Sequence, residues 1–177
     1  SISIIICSIL IFLIFYNEIN SSLLYLLLLF LSSIFIFLFY NWSPANLFMG
    51  DSGSLFIGIV FCIIFHQSMN DNLFYVTTWI ILFSYVLTET SFTLLMRLLL
   101  NKKWFSTHRS HAYQNLARVT KNHKQTTIFI SFFHIFWIFP LVILDMYLPK
   151  FSFFFIVLSI FPVTIFVFNY GPRFSSE

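Results

Sequence analysis

Long apolar runs separated by short polar stretches make up most of the chain. Six segments read as membrane-spanning or nearly so: Ile2–Tyr16, Leu23–Tyr40, Leu55–His66, Leu73–Leu100, Ile128–Leu148 and Phe151–Phe168. A spanning helix needs about 20 mostly apolar residues, so the first is short and the third, at about a dozen, is shorter still. The third either extends backward through the polar stretch before it or enters the bilayer as a tilted or partly re-entrant piece. The pattern predicts an all-α, polytopic integral membrane protein with five or six transmembrane helices, forming a single membrane domain over residues 1–177. Two polar interruptions stand out, at residues 41–54 and 101–124.

Composition points the same way. The chain is 59% hydrophobic and 8% charged, whereas a soluble domain carries roughly a quarter charged residues and needs them to cover a water-facing surface. The two cysteines, Cys7 and Cys62, both sit inside apolar runs and read as small buried hydrophobes rather than a disulfide or metal pair. Ser1 already lies in an apolar segment, with no initiator Met, basic n-region or small-residue cleavage site, so the segment is not expected to be a signal peptide. The expectation is a C-terminal fragment of a larger protein.

Charge placement sets the orientation. With six spans and the 101–124 loop inside, the inner side holds Arg97, Lys102, Lys103, Arg109, Arg118, Lys121, Lys124 and Arg173, eight of nine basic residues. Lys150, Glu18 and Asp71 fall outside, in accord with the positive-inside rule. Residues 41–54 then share the cytoplasmic face with the basic loop.

The first polar stretch contains Gly50-Asp51-Ser52-Gly53-Ser54, which resembles the nucleophile loop of a serine protease. That chemistry needs a histidine base and a carboxylate orienter, which this topology does not bring to Ser52. A nucleophile elbow fails because position 54 is Ser rather than Gly, and a phosphate-binding P-loop fails for want of a Lys after the glycines. What remains is a carboxylate flanked by two glycines at the start of a membrane helix. The glycines let backbone approach a ligand, Ser52 or Ser54 can cap the helix, and its exposed N–H groups favour anions. Asp51 would repel an anion unless a cation stands between them, and Mg²⁺ binds through one or two carboxylates plus substrate phosphates. Asp51 reads equally well as a plain capping residue at a membrane boundary.

The second stretch, "THRSHAYQNLARVTKNHK" over residues 107–124, places His108 and His111 one helical turn apart with Arg109 between. Ser110 can cap a short interfacial helix whose Ala112, Leu116 and Val119 form a membrane-facing stripe. Three readings stay open: a topology-setting basic loop near anionic lipid, a zinc site drawing on His123, and a phosphate-binding loop using bidentate Arg and His donors. Glu89, in the fourth span and about 12 Å along the helix from Arg97, is a costly ionisable group at depth and a functional candidate by default. It shares a stripe with Thr93 and Arg97, and reads otherwise as a structural Glu hydrogen-bonded to neighbouring spans. His66 and His134 read as interfacial or satisfied core histidines, and Asp145 as a residue near the outer face.

"PANLFMGDSGSLFIG" resembles the signature of the polyprenyl-phosphate N-acetylhexosamine-1-phosphate transferases (glycosyltransferase family 4), which include the phospho-N-acetylmuramoyl-pentapeptide translocases. The matching positions are Pro44, Ala45, Met49, Gly50, Asp51, Gly53, Ser54 and Leu55; Asn46 departs from a position that is often basic. "HRSHAYQ" resembles the His-rich cytoplasmic motif of a bacterial branch that initiates O-antigen and capsule synthesis, and "ETSFTLLMR" a segment that usually starts with Asp, where this chain has Glu89. The resemblance implies an Mg²⁺-dependent enzyme (Mn²⁺ an alternative) in the bacterial cytoplasmic membrane, multi-pass, with its active loops facing the cytoplasm. It would transfer a sugar-1-phosphate from a UDP-N-acetylhexosamine to undecaprenyl phosphate and release UMP. Asp51 is implied to hold the metal and, with His108 and His111, to carry the catalysis. Gly50, Ser52, Gly53, Ser54, Arg109 and Glu89 are implied to contact substrate. The bilayer is the expected setting, a homodimer is allowed for, and no nucleic-acid partner is expected. The acidic pair and Asn/Asp-rich segment that the family carries earlier in its chain are not found here, so the chain alone is expected to be inactive. The contrasting readings are a non-catalytic polytopic protein such as a transporter subunit, with Glu89 lining its pathway, and a membrane scaffold.

Overall fold

The computed structural model describes residues 2–16, 22–42, 45–101 and 110–172. The described residues are helical, with α1 Ile2–Tyr16, α2 Ser22–Asn41, α3 Gly50–Asn70, α4 Val76–Leu99, α5 Ala112–Thr120, α6 His123–Phe133, α7 Phe139–Tyr147 and α8 Ser152–Tyr170. A π-turn, His134–Ile138, joins α6 to α7, and a 3₁₀ turn, Pro149–Phe151, precedes α8. Five helical stretches are long and apolar enough to cross a membrane: Ser22–Asn41, Gly50–Asn70, Val76–Leu99, His123–Tyr147 and Pro149–Tyr170. With the shorter Ile2–Tyr16, this is the polytopic all-α architecture that the apolar runs predict. The third span resolves in one direction: it reaches back to Gly50 and on to Asn70, a 21-residue helix that needs no re-entrant geometry.

The contacts gather into two compact units, residues 1–79 and 80–177. In the first, Ile6, Leu10 and Ile14 of α1, at helical spacing, bury with Leu23, Leu27 and Phe30 of α2. Phe30 meets Phe61 of α3 edge-on, ring centroids 5.4 Å apart. At the other end of α3, Trp79 stacks edge-on against Phe65 and donates its indole N–H to Ser68 Oγ at 3.1 Å. Cys7 is fully buried in this core, while Cys62 is exposed, so the expectation of two buried thiols holds for one; both are free.

In the second unit, two prolines shape the helices. Pro140 cannot donate to the carbonyl of Phe136, and its ring would crowd it. The π-turn lies directly ahead of it, with Phe139 N–H bonding to His134 O, and carries the chain past the proline without breaking the span. Pro162, inside α8, similarly leaves the Leu158 carbonyl without its helical donor. Trp137 supplies the replacement: its Nε1–H donates to Leu158 O at 3.1 Å. In hydrocarbon no water does this, so a neighbouring helix must. His134 is fully buried and half satisfied, with Nδ1 against Ile130 O at 2.8 Å and Nε2 without a partner among the described residues.

Candidate functional site

The polar stretch before α3 folds back on α2. The Asn46 and Leu47 N–H groups both bond to the Tyr40 carbonyl, at 2.9 and 3.0 Å, and Asn41 Nδ2 donates to Leu47 O at 2.8 Å. These contacts use backbone groups that α2 and the loop would otherwise leave unmet. Helix α3 then starts earlier than the loop reading of residues 41–54 allowed. Gly50 adopts the left-handed conformation, φ +62°, and opens the helix, a backbone that costs an L-residue about 1–2 kcal/mol. Gly53 serves a different purpose: a Cβ there would lie 2.7 Å from Met49 Cγ, so its absence lets the Met49 side chain fold over the first turn.

The expected serine cap is not formed. Met49 is the N-cap and makes no side-chain cap bond, and Ser52 and Ser54 lie inside the helix. Ser54 Oγ instead donates to Asp51 O at 2.8 Å. Asp51 sits in the first turn and is exposed, and no hydrogen bond or ion pair engages its carboxylate among the described residues. A carboxylate at a helix N-terminus is favoured by the dipole, and the uncapped N–H groups beside it suit anions. Pro44 lies outside the described residues.

The second constellation is built around Glu89, which is 3% exposed on α4. Its oxygens lie 2.9 and 3.1 Å from His111 Nδ1, and Oε1 also accepts the Ala112 backbone N–H at 3.0 Å. The predicted stripe is present, with Thr93 and Arg97 buried alongside. Arg97 Nη1 donates to Ser110 Oγ at 2.9 Å, so Ser110 is a buried acceptor rather than the expected cap. His111 is the N-cap of α5 and makes no cap bond of its own. Glu89 fills that role from another helix, taking the N–H of the first residue of α5. Segment 110–112 is thus fastened to α4 at two positions two turns apart.

Helix α5 exists as the spacing predicts, and it buries Asn115 and Ala117 against the rest of the chain in addition to Ala112 of the expected stripe. Val119 of that stripe is exposed, as a membrane-facing position is. Asn115 Nδ2 donates to Tyr170 O at 2.7 Å and Gly171 O at 3.2 Å, meeting carbonyls at the C-terminus of α8, while Arg118 Nη1 donates to Asn115 Oδ1 at 3.1 Å. Nothing in the hydropathy pattern marks Asn115 or Ser110; the groups they meet on α8 and α4 are more than ten residues away in sequence. Tyr113 stacks on the His111 ring, centroids 5.7 Å apart. Burial and then the nearby Glu89 charge raise its hydroxyl above the usual tyrosine range, against the opposing hydrogen bond from Gln114. His108 and Arg109 lie outside the described residues. Lys121 ends α5 in the left-handed conformation, and Asn122 caps α6 by accepting the Lys124 and Gln125 N–H groups. The fifth span therefore begins at His123, earlier than its apolar run suggests.

Among the described residues no group of three His, Cys, Asp or Glu side chains could hold a metal by itself. Asp51 fits a narrower task. One exposed, unengaged carboxylate suits an ion such as Mg²⁺, which draws its remaining ligands from phosphate oxygens and water.

Comparison with known proteins bears on the first of the two constellations. The sequence model of glycosyl transferase family 4 matches residues 1–69, which include Asp51 and nearly all of α3. The chain is also 31% identical over 96 residues to a Bacillus subtilis (strain 168) protein named probable undecaprenyl-phosphate N-acetylglucosaminyl 1-phosphate transferase. That match takes in 53% of this chain and 27% of the relative, so the chain spans little more than a quarter of the relative's length. No solved structure gives a significant match. The family match ends before Glu89 and the His111 segment. Over residues 1–69, with the Asp51 turn and the helix it opens, the chain is similar to glycosyl transferase family 4.

Proposed function

We propose that the protein acts in transfer of an N-acetylhexosamine 1-phosphate from a UDP-sugar to undecaprenyl phosphate, releasing UMP, at the cytoplasmic face of a bacterial membrane. The observation that carries this reading is the exposed Asp51 carboxylate in the first turn of α3, inside the residues that match the family. The name of the Bacillus subtilis relative supports the acceptor and the sugar phosphate. In the reaction a phosphate oxygen of the lipid attacks the β-phosphorus, and the bond from that phosphorus to the α–β bridging oxygen breaks. Such transfers depend on positioning and charge neutralisation more than on covalent chemistry by the protein.

Asp51 would hold Mg²⁺ or Mn²⁺, which when bound neutralises diphosphate charge. The N–H groups opening α3 offer donors to phosphate oxygens, and the left-handed Gly50 keeps that turn free of a side chain. His111, with His108 and Arg109 of the same motif, supplies further donors to the anionic groups. The transporter alternative draws no support from Glu89, whose two oxygens are both engaged by the segment around His111.

The test is Asp51→Ala in the complete protein, assayed with UDP-N-acetylglucosamine and undecaprenyl phosphate over a range of Mg²⁺ concentrations. We expect a fall of at least about 10²–10³-fold, as when a transition-state charge partner is removed, and no recovery with added metal. Wild-type transfer by the variant would end the proposal.

A further inference from the structure

The carboxylate of Glu89 is engaged on both oxygens by two consecutive residues, His111 through Nδ1 and Ala112 through its N–H. An ionised carboxylate only accepts, so the ring nitrogen facing it must carry a proton. We propose that Glu89 is a positioning residue for His111: it fixes the Nδ1–H tautomer and the plane of the imidazole, and so assigns to Nε2 the exchange of protons and hydrogen bonds with phosphate.

Among the described residues, three contacts restrain the ring. Glu89 grips one edge, Tyr113 stacks on it with planes 29° apart, and the backbone of His111 is held as the N-cap of a helix whose first N–H is bound to the same carboxylate. The Arg97–Ser110 bond pins the preceding residue. Neighbours that orient a functional histidine and choose its tautomer in this way recur wherever imidazole does chemistry. When Nε2 also takes up a proton, the imidazolium charge is matched by Glu89 and Nε2–H donates to a phosphate oxygen. Glu89 thus acts through His111 and its own oxygens are not offered to substrate. The identity of the ligand as phosphate rests on the transferase reading; the hold on the ring does not.

Glu89→Gln separates these statements. One amide oxygen still accepts the Ala112 N–H and preserves the start of α5, but the amide NH₂ then faces Nδ1 and donates to it. The neutral ring must switch to the Nε2–H tautomer. The measurement is ¹⁵N NMR of histidine-labelled chain in detergent micelles, with His111 assigned through His111→Asn and helix content followed by circular dichroism. We expect the Nδ1–H pattern in the wild type and the Nε2–H pattern in Glu89→Gln at unchanged helix content, with Glu89→Ala showing a mixture. The same tautomer in wild type and Glu89→Gln would overturn the proposal, as would Nε2–H in the wild type. In the complete protein Glu89→Gln should lower transfer by about 10–100-fold, the usual loss when an orienting partner is changed. Unchanged transfer would also overturn the assigned role. Neither result touches the Asp51 test, so failure here and failure of the transferase reading are told apart.

Discussion

Trp137 and Pro162 offer a direct measure of what one hydrogen bond is worth inside this bundle. The proline removes the donor that would serve the Leu158 carbonyl, and the Trp137 indole replaces it at 3.1 Å. Trp137→Phe deletes that donor and leaves the carbonyl facing other apolar groups. Side-chain hydrogen bonds within bilayers average about 0.6 kcal/mol and reach about 1.7. This one serves a carbonyl that has lost its own helical partner, which places the expected loss near 1 kcal/mol, with a further packing loss because Phe is smaller. A double-mutant cycle separates the two. Pro162→Ala restores a helical N–H to the Leu158 carbonyl, so in that background Trp137→Phe loses packing alone. The cycle should show a coupling of about 1 kcal/mol, a factor of about 5 in the unfolding equilibrium. Reversible SDS unfolding in mixed micelles, followed by circular dichroism rather than tryptophan emission, measures all four proteins. A coupling within about 0.3 kcal/mol of zero would refute the claim that Trp137 compensates for Pro162.

Asn115→Ala should destabilise the chain by about 2–3 kcal/mol, since it strips donors from the Tyr170 and Gly171 carbonyls at a position that is 1% exposed. Arg118→Ala, whose side chain is exposed, should change stability little, and equal effects of the two in the same unfolding titration would contradict the network. A lipid-soluble organomercurial should label Cys62, exposed on the surface of α3, and spare Cys7, fully buried on α1; mass spectrometry of the labelled protein and its peptides decides, and modification of Cys7 at the rate of Cys62 would show that the first core is not packed as described.

Much of this protein is legible in its amino-acid sequence. Apolar runs separated by polar breaks determine helices in a bilayer, because every backbone N–H and C=O there must be satisfied within the protein and a helix does this for nearly all of them by itself. Glu89, Thr93 and Arg97 could be placed on one buried stripe by counting, since that spacing is a property of the helix itself. The Asp51 motif, too, was readable as a string. Hydropathy was a poor guide to helix ends. Asp51 to Ser54 are polar yet helical, because a first turn has free N–H groups that welcome polar neighbours, and His123 opens the fifth span behind an Asn122 cap for the same reason.

Tertiary structure decided which polar groups meet. Ser110 was expected to cap α5, and nothing local forbids it. The outcome depended on Arg97 of α4 donating to its hydroxyl, and Glu89 caps the helix instead. Asn115 turned inward because the end of α8 presented carbonyls needing donors. Such pairings join residues between 13 and 56 positions apart, and no periodicity along the chain encodes them. A sequence determines what each helix must bury; packing against its neighbours determines which buried groups become partners.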